Sequence, residues 1–277
     1  MRPETRGTYG RALREFVRWY SRGRAGRITT ADVVRYKRHL TSGKRLSAVS
    51  VSTYLTAVRR FCDYLVRRRV MHENPARPVG GNSRPRLHSR AALTLSEVEV
   101  LLSVVERSDE RGLRDFAFIR LMLGCALSEI EIIRADAGDR LEGPGGVMLR
   151  VQGKGRLRKD QAVMLPPEVA AALDAYLALR PGLAPEDPLF ASAGNRTRGK
   201  RMTTRGVRDR VSHHLVRAGL KGDRGRRITP YSLRHTAAIL MAGEGASADE
   251  IRDRMRLGSV ATAMLYINQS KEQLAGT

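Results

Sequence analysis

Arginine carries most of the chemistry that this sequence can offer. The 277 residues hold 51 Lys+Arg against 28 Asp+Glu, a formal net charge of +23. A guanidinium is planar and permanently charged, and its forked donors match two oxygens of a phosphate group. The excess is uneven: residues 1–80 hold 19 Lys+Arg and 5 Asp+Glu, net +14. Within that stretch the basic residues cluster as Lys44-Arg45, Arg59-Arg60 and Arg67-Arg68-Arg69, and Arg86 follows shortly after. A field of this sign and size attracts polyanions, so nucleic acid ranks ahead of a merely solubilising surface. Aromatic residues make up only 5% of the chain, too few for stacking platforms for unpaired bases. Contact with the backbone of duplex DNA fits better.

Other chemistries find little support. The two cysteines, Cys62 and Cys125, both sit in apolar runs, which excludes a disulfide framework and points to a reducing compartment. Six scattered histidines and two cysteines form no zinc-ligand pattern, so no metal or other cofactor is expected. No apolar run reaches the ~18 residues of a membrane span, and the N-terminus lacks a signal-peptide pattern. The expectation is a soluble, cytoplasmic protein without a membrane partner, nucleoid-associated if DNA is its target.

The elements that must position these side chains fall into two groups. In the first, Tyr9, Leu13, Phe16, Val17 and Tyr20 recur at helical spacing. Thr29 and Thr30 precede a second helical stretch with Val33, Val34, Tyr36 and Leu40, and Asp32 stands in its first turn, where the helix dipole favours an acid. A third and longest helix starts near Ser50 and carries Val51, Tyr54, Leu55, Val58, Cys62 and Leu65 on one face. Asn74-Pro75 closes the unit, because the residue before proline is pushed out of helical geometry. Residues 1–79 are therefore expected to form a small helical domain, and residues 80–92, rich in Gly, Pro, Ser and Arg, a basic linker.

Residues 93–277 read as a larger mixed domain. Thr94/Glu97, Ser128/Glu131 and Ser247/Glu250 are capping-box signatures. Apolar helices are expected at 113–123, 167–180, 203–218, 230–242, 247–255 and 260–267, with Pro230 at a first helical position. Strand character at 147–151 and 161–165, separated by a Gly-Lys-Gly turn, predicts a small antiparallel sheet. The fold class is mainly α with a small antiparallel sheet, α+β.

Five strings in this order resemble the tyrosine recombinases, the phage-integrase and Xer-like family. Thr229-Pro-Tyr-Ser-Leu-Arg-His-Thr resembles the box that carries the family's second catalytic arginine, here Arg234. Val260-Ala-Thr-Ala-Met-Leu-Tyr is similar to the segment that ends in the nucleophile, here Tyr266. Val151-Gln-Gly-Lys-Gly-Arg resembles the hairpin presenting the catalytic lysine, here Lys154, and Leu123-Gly-Cys-Ala-Leu-Ser-Glu-Ile the box of the first arginine. Ser50-Val-Ser-Thr-Tyr-Leu through Asn74-Pro-Ala looks like the helical, SAM-like core-binding domain. Together the strings span about residues 5–268.

The resemblance implies two domains closing as a C-shaped clamp on duplex DNA, and a site-specific recombinase or integrase that needs no cofactor. Its tyrosine hydroxyl attacks a phosphodiester and leaves a 3′-phosphotyrosyl bond. A phenol is a reluctant nucleophile, so cationic donors at the phosphoryl oxygens must supply most of the catalysis. Tyr266, Arg234 and Lys154 keep their family identities, whereas Tyr231 stands where the family has a histidine. The first catalytic arginine position is Ala126, the third-box His or Trp position is Leu257, and the glycine before it is Arg256. Leu257 is expected to pack as a buttress against the Tyr266 helix. Arg256, counted among the DNA-binding residues, or Arg134 would be the nearest replacement cation. Whether the chain is an enzyme is thus left open between two readings. One is an active recombinase, assembled on DNA as a homo-oligomer from dimer to tetramer. The other is a catalytically impaired relative that recognises a site, or joins an active recombinase in a mixed assembly. Eleven residues follow Tyr266, a short segment for docking onto a neighbouring subunit.

Overall fold

The computed structural model describes residues 3–23, 26–81, 91–153, 156–194, 196–222 and 226–275. The chain separates into two compact units, residues 1–86 and 87–277.

Unit one is helical. Helix α1 spans Pro3–Ser21 and α2 spans Thr30–Arg38, which runs into a π-helical turn, His39–Gly43; α3 spans Ala48–Arg67. Thr29 caps α2 by accepting from the Asp32 amide, and Asp32 accepts in return from the Thr29 amide. This reciprocal box satisfies donors that the first helical turn would otherwise leave open. The core gathers Phe16, Val33, Tyr36, Leu40, Val51, Leu55, Val58 and Cys62. Two expected core positions are corrected: Val17 and Val34 are exposed, one residue off the faces that Phe16 and Val33 bury. Ala12 takes part in the buried face instead. Asn74 closes the unit as a hub, its amide nitrogen donating to the Arg59 carbonyl and to Asp63, and its side-chain oxygen accepting from the Ala76 amide.

Unit two begins with α4 (Leu95–Ser103), α5 (Glu110–Gly124) and α6 (Glu129–Arg134). A three-stranded antiparallel sheet follows in the order β1 (Arg140–Gly143), β2 (Gly146–Val151), β3 (Gln161–Met164). Strand β1 was not expected; its four residues are too few and too polar to show a period-two pattern. Register pairs Leu141 with Met148 and Leu149 with Val163. Helices α7 (Pro167–Leu177), α8 (Thr204–Arg217), α9 (Pro230–Gly243), α10 (Ala248–Arg254) and α11 (Val260–Ala275) complete the unit. Helix α11 runs eight residues beyond the expected end at Ile267.

The larger core of unit two packs α5 against α7 and the sheet, with Phe118, Ile119, Leu121, Leu149, Leu173, Tyr176 and Phe190 buried. A second, smaller cluster lies under α9, α10 and α11 and holds Tyr266. Among the described residues no helix is long and apolar enough to cross a membrane. Both cysteines are buried and free, and burial pushes the Cys62 thiol up to about 11.

Candidate active site

Two helix ends build the floor of the site. Helix α5 stops at Cys125, and the chain turns through Ala126 at φ +50° so that the Leu127 amide returns to the Leu121 carbonyl at 3.3 Å. Helix α10 ends the same way: Arg256 takes φ +56° and the Leu257 amide returns to the Arg252 carbonyl at 2.8 Å. A left-handed residue just past a helix end is normally glycine, because a Cβ is strained there. Alanine and arginine occupy the two positions here.

Arg234, on α9, stitches these ends together. Its Nη1 donates to the Ala126 carbonyl at 2.5 Å and to Glu131 Oε2 at 2.8 Å, and its Nη2 donates to the Met255 carbonyl. Each carbonyl lies at the negative end of a helix dipole, where a cation is favoured. Arg234 is 6% exposed. Arg256 reaches the same carboxylate from the other side, with Nε on Glu131 Oε1 at 2.5 Å and Nη2 on the Ala126 carbonyl at 3.0 Å. Ser128 donates both its amide and its hydroxyl to Glu131 Oε2. Burial alone would raise the Glu131 carboxyl, but the charges of Arg256 and then Arg234 hold it below the usual carboxylate range.

Above this floor stands a row of rings. Tyr231, Arg234 and His235 fall at i, i+3 and i+4 of α9 and so share a side of the helix. Tyr231 meets His235 edge-on at 4.8 Å between centroids, and His235 lies 5.4 Å from Tyr266, tilted by 48°. Tyr266 is 1% exposed and packs with Ala126, Ala237, Met241, Met255 and Ala263. Leu257 packs against this cluster.

The structure thus brings together Tyr266, Arg234, Tyr231, Ala126, Leu257 and Arg256. Lys154 and Arg86 lie outside the described residues. What is described of the lysine hairpin is anchored at its base, where Lys159 pairs with Asp136 and Asp139. Two side chains of this site escape a reading of the sequence. His235 reads there as local packing, yet it sits between the two tyrosines. Glu131 is legible only as a capping-box acid, with nothing to mark its pairing with arginines 103 and 125 residues away.

Three of the expected DNA-binding residues are already partnered within the protein. Arg256 has its side chain only 4% exposed, on Glu131. Arg59 donates to the carbonyls of Ala76 and Val79 and so holds unit one closed. Lys44 pairs with Glu15 at 2.5 Å. Arg45, Arg60, Arg67, Arg68 and Arg69 are exposed.

Comparison with known proteins agrees with the resemblance. Residues 91–273 match the phage integrase family, and residues 1–69 match the phage integrase N-terminal SAM-like domain. The tyrosine recombinase XerC of Serratia marcescens is 26% identical over 99% of this chain and 86% of its own length. XerD of Proteus mirabilis is 30% identical over 89% of this chain and 76% of its own. Among solved structures, XerH site-specific recombinase bound to a palindromic difH substrate superposes with a TM-score of 0.77 at 19% identity, covering 97% of this chain and 77% of that one. A lambda integrase dimer on a COC′ core site gives 0.72 at 16% identity, covering 96% and 89%. With matches in both units and a catalytic-domain model spanning most of the second, the chain belongs to the phage integrase family of tyrosine recombinases.

Proposed function

We propose that this protein is a site-specific DNA recombinase that cuts through a 3′-phosphotyrosyl intermediate formed by Tyr266. The observation that carries the reading is the grouping of Tyr266, His235, Tyr231 and Arg234 on two packed helices of a chain that matches the family in both of its modules. Tyr266 Oη gives up its proton, with the His235 ring beside it as the base, and attacks the scissile phosphorus. One P–O bond forms as another breaks, so the step exchanges esters and needs no nucleotide to drive it. Arg234 and Tyr231 stabilise the phosphoryl oxygens. Lys154, from its hairpin, protonates the departing 5′ oxygen, and a second strand's 5′ hydroxyl reverses the step. The assembly on DNA is a homo-oligomer, and the exposed arginines Arg60 and Arg67 to Arg69 hold phosphates of the duplex.

A second reading has its own support. Ala126 offers no donor, Leu257 is apolar, and Tyr266 is buried within an apolar cluster. These favour a relative that binds duplex sites, alone or beside an active recombinase, without cutting. A suicide duplex nicked near the crossover separates the two. Covalent protein–DNA adduct that vanishes in Tyr266→Phe supports the recombinase. Tight duplex binding with no adduct supports the binding relative. Failure to bind duplex DNA at low salt would overturn both.

A further inference from the structure

Two guanidinium groups, Arg234 and Arg256, share the single buried carboxylate of Glu131. The division of that carboxylate is uneven. Arg256 takes Oε1 through Nε and also reaches Oε2 through Nη2, whereas Arg234 meets only Oε2, through Nη1. Two positive charges against one negative leave the group with a surplus positive charge. Without Arg256, Arg234 and Glu131 would form a neutral buried pair, and the field that Arg234 presents to an anion would be largely cancelled. An arginine at position 126 would restore the same surplus; alanine stands there instead.

Resting on the recombinase reading above, we propose that Arg256 is a positioning residue of the catalytic site. It neutralises Glu131 and so leaves the charge of Arg234 to act on the scissile phosphate. The backbone supports this assignment. Arg256 adopts a left-handed φ of +56°, where an arginine is strained and glycine would be at ease. Arg45 and Arg69 take the same backbone region with exposed side chains, whereas the side chain of Arg256 is 4% exposed and turned onto one carboxylate.

The test is single-turnover cleavage of the nicked duplex at saturating protein, with duplex affinity and thermal melting measured in parallel. Arg256→Gly suits the backbone and removes the charge. Its cleavage rate should fall about 100-fold, the scale of losing one preorganised donor to a developing anion, while duplex affinity stays near wild type. Adding Glu131→Gln to Arg256→Gly should recover most of the lost rate, because the carboxylate that Arg256 offsets is then gone. The melting curves separate this from a merely structural arginine, for which rate would fall and recover only in step with the folded fraction, because neutralising a buried partner also restores stability. Arg256→Gln, which keeps a donor for the Ala126 carbonyl, serves if the glycine variant does not fold. Wild-type cleavage in Arg256→Gly, or a double variant as slow as the single, would overturn the proposal while leaving the recombinase reading intact. Loss of folding in both Arg256 variants would overturn it too, making the residue a structural buttress. A wild-type chain that forms no adduct would overturn the proposal together with the reading it rests on.

Discussion

Arg234 shows how a residue assigned to catalysis also holds the fold. It is buried against the Ala126 and Met255 carbonyls and Glu131, so truncating it strands two helix ends, while Arg256 still neutralises the carboxylate. A hydrogen bond between a charged donor and a buried acceptor contributes about 1.5–3 kcal/mol. Arg234→Ala should therefore lower the urea midpoint by a corresponding amount. If stability were unchanged, the three hydrogen bonds would not be contributing as described. Tyr266 differs, because its apolar ring carries the packing. Phenylalanine retains that ring, so Tyr266→Phe should shift stability by less than about 1.5 kcal/mol while abolishing any covalent adduct. A denaturation curve and a denaturing gel of the suicide reaction check the two halves of that expectation.

At the scale of elements, a buried ionic cluster ties α5 to α8. Asp115 is fully buried and accepts from Arg114 at 2.7 Å and 3.0 Å, from Arg210 at 2.6 Å and from His214, whose Nε2 lies 3.0 Å away. Burial by itself would raise this carboxyl, but the His214 hydrogen bond and the Arg114 charge, with the further bonds from Arg114 and Arg210, bring it below the usual carboxylate range. A carboxyl whose folded value is depressed contributes stability that is whole above its unfolded value, about 3.9 for aspartate. That stability is lost as pH falls through the lower folded value. Urea midpoints taken from neutral pH downward should drop in the acid range, and the drop should be shallower in Asp115→Asn, which has no proton to take up. Parallel pH profiles would show that Asp115 is not the linked group. The start of α5 offers a steric check as well. A Cβ on Gly112 would lie 1.8 Å from the Glu106 carbonyl oxygen, in a turn already fixed by Asp109 accepting from the Gly112 amide. Gly112→Ala should cost about 1–3 kcal/mol through the backbone shift it forces, read from thermal or urea unfolding.

For the whole molecule, charge and its placement govern DNA binding. The net +23 is a long-range property, but only arginines free of internal partners can replace counterions on a duplex. Arg67, Arg68 and Arg69 are exposed at the end of α3, whereas Arg59 is held by two carbonyls. Replacing the three exposed arginines with alanine should flatten the dependence of log Kd on log salt by up to about 0.9 for each phosphate no longer neutralised. Arg59→Ala should leave the slope alone and lower the melting temperature of unit one. A salt titration by fluorescence anisotropy distinguishes the two, and a reduced slope in Arg59→Ala would contradict the assignment.

The sequence by itself determined what depends on local order. Capping boxes at Thr94/Glu97 and Ser247/Glu250, the proline at the start of α9, and the two main strands follow from residues three or four apart or from short apolar runs flanking a glycine-containing turn. The family strings were legible for the same reason, since each is a contiguous stretch around one chemical group. Only the tertiary structure decided which cations are available. Arg45, Arg59 and Arg256 are alike as letters, yet one is exposed, one bonds two carbonyls, and one lies against a carboxylate 125 residues upstream. A buried charge must find a partner wherever the fold brings one within reach, and that partner is set by how helices pack rather than by spacing along the chain. For the same reason Glu131 read as a cap in the sequence, and in the folded protein it is the carboxylate on which two arginines meet.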